Sequence, residues 1–100
     1  MANVNFKTKQ EIEAERLVNW REFAQVSAFQ ARAALNSAGL RDQVETLMND
    51  PNTDQTVKDA WEYATTFKRN SPTVLALAND LGLTDEQLDD LFTQAKDIEA

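Results

Sequence analysis

Hydrophobic positions recur at helical spacing along most of the chain, and no segment of useful length alternates with period two. Thr8, followed three residues later by Glu11, is a capping-box signature: hydroxyl and carboxylate can each satisfy a free backbone N–H. From there the pattern predicts a helix to about Ser37, roughly 28 residues or ~42 Å at ~1.5 Å per residue. Gly39 then supplies the left-handed residue beyond the helix end, and Leu40 can fold back onto Leu35. Leu17, Ala24, Ala28, Ala31 and Leu35 form one face of this helix; Trp20, Phe23, Val26 and Phe29 form a second, drifting one. The first turns, Lys9 to Arg16, are mostly charged. A helix apolar on two sides is expected to be buried on two sides. The rest of the chain can cover one of them, and the other calls for a partner.

Four shorter helices are expected to follow. The second runs from about Leu40 to Asn49, with Leu40, Val44, Leu47 and Met48 inward. The run Asp50 to Asp54 is a turn of residues that bond their own backbone. The third helix is expected from Asp54 to about Arg69, where Val57, Ala60, Trp61, Ala64 and Phe67 share one face. Ser71 caps the fourth, with Pro72 at its first position, where a missing N–H costs nothing. Gly82 ends it after Val74, Leu75, Leu77, Ala78 and Leu81. Thr84 and Gln87 form a second capping box, and Leu88, Leu91, Phe92 and Ala95 are the inward face of the fifth helix. The expected fold is all-α: a long N-terminal helix, then four shorter ones, the last two in a helix-turn-helix-like corner. Residues 1–7 are expected to be a tail and residues 8–100 a single helical domain. With two glycines and two prolines in the chain, there is little to suggest a sheet.

Composition narrows the chemistry. The chain of 100 residues is 42% hydrophobic, enough for one small core. Cysteine and histidine are both absent, which removes disulfides, thiol nucleophiles, the usual zinc sites and imidazole acid–base catalysis. No apolar run approaches the ~18 residues of a membrane span, and Met1 to Lys7 lack a signal-peptide pattern. A soluble, intracellularly made, non-enzymatic protein is the expectation, with no cofactor and no membrane partner. Asp50, Asn52 and Asp54 match the first three ligand positions of a calcium loop. Gln55 then stands where that loop needs glycine, and Trp61 where it needs a bidentate glutamate. The run reads as a turn, and no metal is expected.

Charge changes the picture of the last two helices. Ten cationic side chains face seventeen acidic ones, a net charge of -7. Ala78, Gly82 and Leu88 have helix-turn-helix spacing. The would-be recognition helix, however, offers Asp85, Glu86, Asp89 and Asp90, the wrong sign for phosphates. Direct nucleic-acid binding is therefore not expected. The acidic face reads either as solvated or as a dock for a basic protein surface. A second candidate set is Trp20, Phe23 and Phe29, flanked by Arg16, Arg21 and Arg32. At helical spacing such residues are core or protein interface, and Trp and Arg are enriched at interface hot spots. Left exposed, the three aromatics would make an apolar patch of the kind that drives self-association or docking.

Three segments stand out together: Phe29-Gln30-Ala31-Arg32-Ala33-Ala34-Leu35 with Ala38-Gly39-Leu40; Ala60-Trp61 through Phe67-Lys68-Arg69-Asn70-Ser71-Pro72; and Leu81-Gly82-Leu83-Thr84 through Leu91-Phe92. Over residues 29–95 the chain resembles small proteins encoded among the tail genes of tailed bacteriophages and prophages. The shared positions are mainly caps, turns and core, and the N-terminal third takes no visible part. The resemblance implies a non-enzymatic tail-region protein, structural or assembly-related. It would act through another tail protein or through itself as a homo-oligomer, in the host cytoplasm during assembly or in the virion. It brings no catalytic or ligand residues with it. The alternative from the residues is a small acidic regulator or inhibitor that occupies the basic site of a nucleic-acid-binding protein.

Overall fold

The computed structural model describes residues 7–100. The expected tail over residues 1–7 lies outside these, Lys7 excepted. The elements in chain order are α1 (Lys9–Phe23), β1 (Gln25–Ser27), α2 (Ala28–Ser37), α3 (Arg41–Asn49), α4 (Gln55–Tyr63), β2 (Thr66–Lys68), α5 (Pro72–Asp80) and α6 (Asp85–Lys96). The protein is mostly helical, as the periodicity predicts, and its first helix is the longest.

The first helix begins where expected, with Thr8 Oγ1 accepting from Glu11 N–H at 3.1 Å. It does not continue to Ser37. Ala24 turns extended (φ -64, ψ 129), and a new helix starts from a complete capping box. Ser27 Oγ accepts from Gln30 N–H at 3.1 Å, and Gln30 Oε1 accepts from Ser27 N–H at 2.9 Å. This box satisfies two backbone donors that a continuous helix would have handled internally, so the exit at Ala24 costs little. The third expected helix is likewise cut short. α4 stops at Tyr63, Ala64 is extended, and Thr66–Lys68 pairs antiparallel with β1 in the register Val26↔Phe67. Flanking bonds extend the ladder: Ala28 N–H donates to Thr65 O, and Arg69 N–H to Ala24 O, both at 2.9 Å. A two-stranded sheet thus sits within a fold expected to be all helix. Each strand buries only its middle residue, so neither is long enough to show an alternating pattern.

Both glycines end helices as predicted. Gly39 (φ +73) and Gly82 (φ +72) adopt the left-handed conformation. At each, the following leucine closes the turn: Leu40 N–H reaches Leu35 O, and Leu83 N–H reaches Ala78 O, both at 2.9 Å.

The core gathers Val26, Leu35, Val44, Trp61, Phe67, Val74, Leu88 and Phe92 around almost wholly buried Ala34 and Ala95. α2 packs on α6, and β1 is covered by both. Trp61 stacks against Phe67, with ring centroids 6.1 Å apart. None of this core comes from α1, which has no buried residue. The radius of gyration is 16.4 Å, against about 13 Å for a compact domain of this length. The excess belongs to α1, which leaves the body as an arm.

A docking elbow between the first helix and the body

The arm meets the body at a charged joint. Arg69, directly after β2, is 1% exposed, and its Nε donates to Asp89 Oδ1 at 2.8 Å. The same guanidinium donates to Asn70 Oδ1 at 3.3 Å and to the backbone and side-chain oxygens of Asp85 at 3.4 Å. From the other side, Arg21 in the last turn of α1 grips Asp89 with two nitrogens, Nη2 to Oδ2 at 2.7 Å and Nε to Oδ1 at 3.1 Å. One carboxylate on α6 therefore holds two guanidiniums, one from the arm and one from the body.

A buried guanidinium is costly unless paired and hydrogen-bonded. Here the account closes: no buried side-chain polar atom among the described residues lacks a partner. Burial pushes the Asp89 carboxyl up, but the hydrogen bonds and charges of Arg21 and Arg69 outweigh it and hold it below its ordinary value. The hydrogen bond to Asp89 raises Arg21 in turn, against the cost of its own burial. Residues 80–95 contain no Lys or Arg, yet the fold places two guanidiniums on Asp89. A carboxylate held this firmly ionised is suited to clamping, not to carrying protons.

The acidic face is thus divided. Asp89 is committed within the chain, and Asp85 leans on Arg69 while remaining largely in solvent. Glu86 and Asp90 are exposed, with no ion-pair partner among the described residues. The aromatic set is divided too. Trp20 is half-buried and packs against the core cluster. Phe23 is 80% exposed and Phe29 51%. Arg32 does not flank them: it lies over Trp61, 4.7 Å from the ring centroid, and donates to the Trp61 carbonyl. The other exposed large apolar side chains of α1 are Ile12, Leu17 and Val18.

The remaining candidates resolve locally. Asp50 Oδ1 accepts from Asn52 N–H at 2.8 Å, and Asp54 caps α4 through Thr56 N–H at 2.9 Å, so both serve the backbone of the turn. No metal-holding group of acidic side chains occurs among the described residues. No described helix is long and apolar enough to cross a membrane.

No family model, curated protein or solved structure matches this chain.

Proposed function

We propose that this protein is a non-enzymatic protein–protein interaction module of a phage or prophage tail system, with α1 as its binding arm. The observation that carries the binding role is a helix of fifteen residues with none of them buried. An isolated helix of that length is marginal in water, and this one ends in a Phe that is 80% exposed. Packing on a partner would both stabilise α1 and cover Phe23. The tail setting rests on the motif resemblance over residues 29–95. Purified virions from a host carrying the gene are the test. The protein copurifying at fixed stoichiometry, or staying bound to a tail subunit in assembly intermediates, supports the reading. Absence from both overturns the tail assignment.

The alternative, an acidic protein that occupies a basic nucleic-acid site, draws on Glu86 and Asp90. It is the weaker of the two, because Asp89 and part of Asp85 are spent inside the chain. Steeply salt-dependent binding to a basic enzyme would favour it.

A further inference from the structure

Where the arm leaves the body, a crevice of about 550 Å³ opens between α1, β1 and the end of α6. Arg16, Trp20 and Phe23 form one wall; Gln25, Phe92 and Lys96 contribute to the other. Every charged side chain lining it is a cation, in a protein whose net charge is -7. Neither cation is in an ion pair among the described residues. Lys96 complements the C-terminal dipole of its own helix, and its side chain stays exposed. The backbone adds a third element. Ala24 and Ala28 bond toward β2, so the alternation of an antiparallel strand turns the N–H and C=O of Gln25 to the opposite edge.

We propose that this crevice seats an extended acidic segment of a partner protein: a carboxylate between Arg16 and Lys96, an apolar or aromatic side chain against Trp20 and Phe23, and its backbone along the free edge at Gln25. The inference rests on α1 being a binding arm and names what the arm's inner side accepts. Cations favour carboxylates, and half-buried Trp20 and exposed Phe23 offer contact area. The outward N–H and C=O of Gln25 can pair with extended chain, the N–H of Ser27 on the same edge being held by Gln30. Arg16 and Lys96 repel a basic partner from this surface, whereas the acidic side chains elsewhere on the molecule would attract it.

The test is selection of random twelve-residue peptides displayed on a carrier, against the immobilised full chain and its Arg16→Glu/Lys96→Glu variant. Both positions are exposed, so the variant should keep the wild-type circular dichroism, with a melting temperature slightly lowered by the charge reversal at the end of α6. Should it not, Lys96→Ala serves in its place. The expected result is enrichment of peptides that carry Asp or Glu beside an aromatic or aliphatic residue. Their affinity should fall about tenfold or more in the variant and with rising salt. Amide shifts on binding should centre on Arg16, Trp20, Gln25 and Lys96. Selection of neutral or basic peptides, binding that survives the variant, or no selection at all overturns the proposal. Virion incorporation separates the two readings. Wild type absent from virions speaks against the tail assignment alone. The double variant incorporated like wild type speaks against the crevice alone.

Discussion

Asp89 is the residue on which most depends. It accepts from Arg21 and Arg69 together, and Arg69 has almost no solvent to fall back on. Asp89→Asn should destabilise the protein by about 3–5 kcal/mol, because it strands a buried guanidinium; chemical denaturation measures this directly. Arg21→Ala removes only the more exposed partner and should cost about 1 kcal/mol or less. The pH dependence follows from the direction of the shift. A carboxyl whose folded pKa is depressed contributes stability in full above its unfolded value, about 3.9. That contribution is lost as the pH falls through the lower folded value. The stability gap between wild type and Asp89→Asn should therefore stay constant from neutral pH down to about 5 and close only below about 4. A gap that closes near neutrality would show that Asp89 is not the group clamped there.

Among the elements, starts and stops differ in how openly the sequence announces them. Helix starts at Thr8, Ser71 and Thr84 stand where the sequence puts them, each side chain accepting from the backbone N–H three residues on. The box expected at Thr8 is half made, with no returning bond from Glu11 among the described residues. So do the stops at Gly39 and Gly82. A Cβ on Gly82 would meet nothing within 4 Å, so the penalty there is backbone conformation alone. Gly82→Ala should cost about 1–2 kcal/mol, read as a lowered melting temperature with the fold retained. The exits at Ala24 and Ala64 were hidden because alanine is the best helix former and marks no end. What overrides it is the ladder between β1 and β2, whose strands lie far apart in sequence. The Ser27-x-x-Gln30 box was legible, but it lay inside a run whose apolar spacing already fitted a helix. Ser27→Ala removes that box and should cost about 1 kcal/mol. Hydrogen exchange should show the loss first in the opening turn of α2. The docking elbow was legible in part. Its aromatics and arginines were visible at helical spacing, whereas no local pattern relates residues 21, 69 and 89.

For the molecule as a whole, the arm sets solution behaviour. Ile12, Leu17, Val18 and Phe23 are all exposed on α1. Burying a side chain such as Phe stabilises by about 1.5–3 kcal/mol, so concentration should drive pairing of arms unless net charge prevents it. Sedimentation of the wild-type chain should show self-association that strengthens with added salt, since screening relieves repulsion between molecules of charge -7. Phe23→Ala should weaken it, and a strict monomer at every salt concentration would remove self-pairing as a use of the arm.

Arg69 also decides what happens when something pulls. Its backbone N–H holds Ala24 O at the root of the arm, while its side chain holds Asp89 on α6. A load applied along α1 therefore does not peel the strand pair one bond at a time. It is shared between the ladder at the arm's root and the Arg21–Asp89 pair at its last turn, whose carboxylate Arg69 anchors, and both must fail before the arm comes away. A partner pulling on the arm would meet that load as a single mechanical step.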